Sequence, residues 1–165
     1  MTAAICGAIL GCIGNEEKAM ESPSIMSHVS IGTNDYPRAT AFYDAVMPTI
    51  GARRVFEPEG MPEGAYAVAY GKQFPEFWVQ TPHDNGKAET ANGVHLAFLA
   101  PSKEAVQAFW DAAVKAGATP DGEPGPRPHY GAPYYGCFLR DPDGHKIEAM
   151  FWDMEMAATS ENPHG

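Results

Sequence analysis

Two histidines, His28 and His95, stand 67 positions apart, and each opens a short run of alternating character: His28-Val29-Ser30-Ile31 and His95-Leu96-Ala97-Phe98. A third polar group, Glu148, interrupts the otherwise apolar stretch Ile147-Glu148-Ala149-Met150-Phe151. Successive side chains of a strand point to opposite faces, so His28 and Ser30 leave on one side while Val29 and Ile31 pack on the other, and the second run repeats the pattern. A buried carboxylate without a partner is costly, so Glu148 needs a cation. Two neutral imidazoles and one carboxylate make a set that holds a divalent metal while leaving coordination positions open to water and substrate. The competing reading is structural: a strand histidine is commonly a hydrogen-bonded scaffold residue, and Glu148 could pair with Arg140.

The elements that must position these residues come from an internal repeat. The same 67-residue offset that superposes the two histidines also sets Ala41-Phe42-Tyr43-Asp44-Ala45 over Ala108-Phe109-Trp110-Asp111-Ala112, with no gap between. In each copy a strand leads through a polar cap into an amphipathic helix. The first helix buries Ala39, Phe42, Tyr43 and Val46; the second buries Val106, Phe109, Trp110, Ala113 and Val114. Asn34 or Asp35 caps the first helix, with Pro37 in its first turn, and Ser102 caps the second, which stops at Gly117. Strands follow at Ala52 to Glu57, Ala65 to Tyr70 and Glu76 to Gln80 in the first copy. In the second copy the stretch from Pro120 to Pro133 reads as irregular, before strands at Tyr134 to Arg140 and Lys146 to Trp152. The turn Asp141-Pro142-Asp143-Gly144 joins these last two as a hairpin. The expected architecture is therefore α+β: two βαβββ modules whose strands form a cup-shaped mixed sheet with helices on its outer face. Module 1 spans about 24–81, a linker 82–92 and module 2 93–153, flanked by an N-terminal extension at 1–23 and a C-terminal tail at 154–165. Each module has too small a core to stand alone, so the two pack together or pair across a dimer.

With these motifs in place the chain resembles the vicinal oxygen chelate superfamily, which includes glyoxalase I, extradiol dioxygenases, fosfomycin-resistance enzymes and bleomycin-resistance proteins. The resemblance covers about residues 25 to 153. It is carried by Ser27 to Ile31, by Arg38 to Ala45, by Gly93 to Phe98, and most specifically by Asp141-Pro142-Asp143-Gly144-His145-Lys146-Ile147-Glu148. It implies metal ligands at His28, His95 and Glu148, a divalent ion (Zn, Ni, Mn or Fe), a small-molecule substrate bound through neighbouring oxygens, and a homodimer. It implies a glyoxalase-like lyase or isomerase, with a ring-cleaving dioxygenase or a metal-free ligand-sequestering protein as the alternatives.

A fourth ligand, supplied in glyoxalase I by the last strand of the first module, has no unambiguous counterpart. Aligning Glu76-Phe77-Trp78 on Glu148-Ala149-Met150 offers Glu76, whereas aligning Gly71 on Gly144 puts Pro75 there. The aromatic loop from Arg127 to Tyr135 could line a substrate pocket, with His129 or Tyr135 as proton donor or acceptor. Tyr130 and Tyr134 serve equally well as anchors of the loop to the sheet. His83, His145 and His164 lie in a linker, a turn and the tail and are not expected to be ligands, and the methionines are expected to be packing residues.

Composition narrows the partners. With 21 acidic against 11 basic residues and a formal charge of -10, nucleic acid is not an expected partner. Three cysteines, Cys6, Cys12 and Cys137, indicate neither a disulfide framework nor a zinc knuckle, and a reducing cytoplasm is the expected compartment. The apolar run from Ala3 to Ile13 has no basic residue ahead of it and is shorter than the about 20 residues of a membrane-spanning helix, so neither export nor membrane insertion is expected.

Overall fold

The computed structural model describes residues 25–57, 59 and 62–159. The N-terminal extension, with Cys6, Cys12 and the apolar run, and the end of the tail, with His164, lie outside the described residues.

Each half begins with a strand that crosses over through a helix, and the same order of elements is built twice. The first module runs β1 (Val29–Gly32), α1 (Tyr36–Val46), a 3-10 turn (Met47–Ile50), β2 (Arg53–Phe56), β3 (Ala67–Gly71) and β4 (Phe77–Gln80). The second runs β5 (His95–Leu99), α2 (Lys103–Lys115), β6 (Thr119–Pro126), a 3-10 turn (Pro128–Tyr130), β7 (Tyr134–Arg140) and β8 (Lys146–Trp152). A short helix α3 (Met154–Thr159) follows and buries no residue. The strands form two separate four-stranded sheets, ordered β1-β4-β3-β2 and β5-β8-β7-β6. In each, the first strand lies parallel to the last and the other neighbours are antiparallel. The fold is thus α+β, two βαβββ modules with open sheets.

Local chemistry explains the boundaries. The Asp35 carboxylate caps α1 by accepting from the Arg38 N–H, and Pro37 occupies the first turn, where its missing N–H costs nothing. Ser102 caps α2 in the same way through the Ala105 N–H, and the chain leaves the helix at Gly117, whose φ of 101° is open to glycine at no cost. The expected faces of the helices are largely those observed: Ala39, Phe42, Tyr43, Val46, Val106, Phe109 and Ala113 are buried. Trp110 is only partly buried and Val114 is exposed, because α2 is covered along a narrower stripe than its apolar residues span.

One sequence expectation is corrected. Thr119 to Pro126, read as irregular, is a strand. It lies at the edge of its sheet, where prolines at 120, 124 and 126 need not donate to a second neighbour, and its register shifts between Pro120 and Gly122 and between Gly122 and Gly125. The period-2 signal fails because the strand is irregular in pairing, not because it is unpaired.

A single cluster of buried residues runs through both modules, so the halves share a core. Their seam is also stitched by polar contacts from the β7–β8 turn to the end of β1, the loop after it and the first helix. The Tyr43 hydroxyl donates to Asp141 Oδ2 at 2.7 Å, with both residues buried. Asp141 Oδ1 accepts from the backbone N–H groups of Asp143 and His145. Thr33 and Arg38 donate to Asp143, and His145 Nε2 donates to the Gly32 carbonyl at 2.8 Å. His145 thus ties the turn to the backbone at Gly32, and burial raises the Asp141 carboxyl above its ordinary range.

Tyr43→Phe removes the donor from a buried carboxylate oxygen and is expected to cost about 1–3 kcal/mol, read from urea unfolding at pH 7. Burial also pushes the Cys137 thiol from 9.0 up to about 11. Between these values the folded chain keeps a proton that the unfolded chain has lost, so stability falls as pH rises through this window. Cys137→Ala, although less stable overall from its cavity, is expected to show a shallower loss of urea midpoint from pH 8.5 to 10.5 than the parent. An equal loss in both would contradict this assignment.

Candidate functional site

The parallel pairing of β5 and β8 decides which side chains meet. Ala97 stands opposite Glu148, and His95, two residues earlier on β5, shares their face. Consequently His95 Nε2 lies 2.6 Å from Glu148 Oε2. The other carboxylate oxygen, Oε1, accepts from the Tyr134 hydroxyl at 2.7 Å. Glu148 is buried, with 7% of its side chain exposed, while 40% of the His95 side chain remains open to solvent. A buried carboxylate is tolerable here because both oxygens are hydrogen-bonded. Arg140, the rival partner, instead pairs with Asp121 at 3.2 Å.

Tyr134 is the residue the sequence reading undervalued. The signal was available in the hairpin: a turn at 141–144 pairs Arg140 with Lys146, so counting back by twos places Phe138, Gly136 and Tyr134 on the face of Glu148. The same count sends Tyr135 to the other side. Tyr135 packs against the core, with Lys103 Nζ 6.0 Å from its ring centroid, so it does not share the face of His95 and Glu148. Burial, and then the hydrogen bond to Glu148, hold the Tyr134 phenol well above its ordinary pKa. His129 is exposed at the rim, 4.3 Å from the Tyr130 ring, which in turn meets Tyr134 edge-on at 5.1 Å.

His28 occupies the corresponding corner of the other module. It is exposed immediately before β1, hydrogen-bonded to Ser27 at 3.0 Å through Nδ1 and edge-on to Trp78 at 6.4 Å. Among the described residues no group of three or more His, Cys, Asp or Glu side chains is arranged so that it could hold a metal ion within one chain. The repeat does place His28 and His95 equivalently, but on separate sheets, so one chain unites His95 with Glu148 and leaves His28 apart.

Strand register also shows where Glu76 falls. Ser30 pairs with Trp78 as Ala97 pairs with Glu148, and Ser30 and Ala97 are repeat equivalents, so Trp78 occupies the position of Glu148. Neither sequence alignment anticipated this. Glu76 lies before the strand and caps a tight turn, its Oε2 accepting from the Lys72 N–H at 2.8 Å. An open cleft of about 480 Å³ beside Thr33, Asp35, Tyr36 and Tyr66 contains none of the candidate ligands. No helix among the described residues is long and apolar enough to cross a membrane.

The geometry can be set beside known proteins. A family model described as the Glyoxalase/Bleomycin resistance protein/Dioxygenase superfamily matches residues 25–149. A glyoxalase/bleomycin resistance protein from Albidiferax ferrireducens is similar at 35% identity, covering 78% of this chain and 98% of its own, with a TM-score of 0.63. A glyoxylase/bleomycin resistance protein/dioxygenase domain from Frankia sp. is 20% identical over 79% and 93% of the two chains, with a TM-score of 0.60. A fosfomycin resistance protein from Listeria monocytogenes is 16% identical over 80% and 96%, with a TM-score of 0.56. The last two are likenesses of fold. No curated protein sequence matches the chain.

Tyr134→Phe leaves Glu148 Oε1 buried without its donor and is expected to lower stability by about 1–3 kcal/mol in urea unfolding at pH 7. Tyr135→Phe is expected to change it by less than about 0.5 kcal/mol. Equal effects of the two would contradict the assignment of faces.

Proposed function

The chain belongs to the glyoxalase/bleomycin resistance/dioxygenase superfamily, and from that premise we propose that it is a metal-dependent, glyoxalase-like enzyme of lyase or isomerase type acting on a small substrate through neighbouring oxygens. The observation that carries this reading is the convergence of His95 Nε2 and Glu148 Oε2 at 2.6 Å on an open sheet face. An imidazole nitrogen and a carboxylate oxygen at one point are a donor pair suited to a divalent ion of the Zn, Ni, Mn or Fe kind. Glu148 is also held from behind by Tyr134, the kind of outer support that orients a ligating carboxylate.

Two donors are half a site. The third in this reading is His28, contributed by a second copy of the chain, so that a homodimer completes each cup from module 1 of one protomer and module 2 of the other. When bound, the ion supplies a Lewis acid for a substrate oxygen on which negative charge develops. Tyr134 keeps Glu148 oriented, the buried ring of Phe138 lies beside His95, and the exposed His129 is open to exchange a proton with solvent.

A second reading has its own support. His95 and Glu148 satisfy one another by hydrogen bonding, and such a pair is also stable without an ion, as a ligand-sequestering protein would require. Metal analysis of purified protein separates the two. The enzyme reading expects near-stoichiometric divalent metal in the parent and a loss of tenfold or more in His95→Ala, Glu148→Gln and His28→Ala; a metal-free parent overturns it. A purified heterodimer of one His28→Ala chain and one Glu148→Gln chain is expected to recover one of two metal sites. Recovery of none would place all three donors within a single chain and overturn the shared cup.

A further inference from the structure

Beside His95 and Glu148 the same sheet face carries two cations gathered on one ring. We propose that Arg127, assisted by Lys146, forms a carboxylate-binding subsite, so that the molecule taken into this face is an organic anion. The inference rests on the reading of the His95–Glu148 face as the substrate site.

Phe138 is the hub. It pairs with Glu148 across β7 and β8, and its ring is met by His95 at 6.0 Å between centroids, by Arg127 Cζ at 5.6 Å and by Lys146 Nζ at 5.0 Å. Three groups that recognise oxygen anions therefore surround one nearly buried aromatic floor. Such a floor removes water from one side of each cation and strengthens its attraction for a charge brought to the other.

Arg127 is built into this place. Its Nη1 donates to the Pro126 carbonyl at 3.1 Å and its Nη2 to the Glu123 carbonyl at 2.7 Å. Two glycines of β6 leave the space it fills: a Cβ on Gly125 would lie 3.1 Å from Nη1, and one on Gly122 would lie 3.4 Å from Nη2 and 3.0 Å from the Phe138 ring. Two of its five N–H donors are used, and three remain. The carbonyls hold the guanidinium in position without cancelling its charge.

The charge is otherwise unspent. Arg38, Arg54 and Arg140 each form an ion pair with a carboxylate, whereas Arg127 forms none among the described residues. Arg53 likewise has no carboxylate, but it sits on the exposed edge strand of the other sheet. Lys146 lies 3.7 Å from Asp121, a carboxylate it shares with Arg140, so its compensation is partial. In a chain of net charge -10, a fixed arginine without a carboxylate beside the His95–Glu148 pair is the group on this face best placed to meet an anion. A planar guanidinium with free donors matches a carboxylate, which takes two parallel N–H bonds.

The test uses benzoate and benzamide, which share shape and differ in charge, titrated into the full-length protein and followed by backbone and arginine Nε–H chemical shifts. Saturable binding of benzoate is expected, with a shift of the Arg127 Nε–H signal and at least tenfold weaker binding of benzamide. Arg127→Met is expected to weaken benzoate tenfold or more and to leave benzamide unchanged. Arg127→Lys, which keeps the charge, is expected to fall between, and its retained spectrum controls for folding. No benzoate binding, equal affinity for benzamide, or benzoate affinity unchanged in Arg127→Met would each overturn the proposal. Metal content is measured on the same samples: a metal-free parent that still loses benzoate in Arg127→Met defeats the metal reading and keeps the subsite, and a metal-loaded parent indifferent to Arg127→Met does the reverse.

Discussion

The parallel pairing of the first and last strands in each module is the constraint on which the rest of the structure depends. These two strands are joined in sequence only through a helix and two further strands, yet their register determines every cross-strand neighbour on the site face. With Ala97 opposite Glu148, the imidazole of His95 and the carboxylate fall within hydrogen-bond distance. A shift of one residue would turn Glu148 toward the helices, into a core made of Val106, Phe109, Leu139 and Ile147, where nothing could solvate it.

The repeat makes the same pairing twice and fills it differently. In module 2 the position opposite the central small residue of the first strand is Glu148; in module 1 it is Trp78. Trp78 contacts both His28 and Phe56, forming an aromatic corner where the other module has a carboxylate corner. One backbone plan thus offers two chemically distinct faces, one able to donate oxygen and nitrogen ligands and one able to cover an apolar surface.

The seam between modules has a similar economy. A single turn at residues 141–145 supplies Asp141 to Tyr43, Asp143 to Thr33 and Arg38, and His145 to the backbone at Gly32. The same turn begins β8 and therefore sets the phase of Glu148. Packing between the halves and the geometry of the candidate site are coupled through five residues of chain, so loosening the seam should be felt at the carboxylate.

Much of this was legible in the sequence. The offset between His28 and His95, the matching Ala-Phe-aromatic helices and the Asp-Pro-Asp-Gly hairpin defined the modules, the helix caps and the last two strands, because each is a local pattern written in propensity, periodicity and turn chemistry. The hairpin even contained the information that puts Tyr134, and not Tyr135, beside Glu148, since a tight turn propagates its register by simple alternation. What sequence could not decide were contacts between elements far apart along the chain. The β4 register that puts Trp78 where the other module has Glu148, the edge strand hidden in a Pro- and Gly-rich segment, the placement of His28 and His95 at the first strands of different sheets, and the seating of Arg127 on Phe138 all depend on how sheets pair and pack. Local residue preferences determine which elements form; only the burial of their shared faces selects which residues of those elements meet.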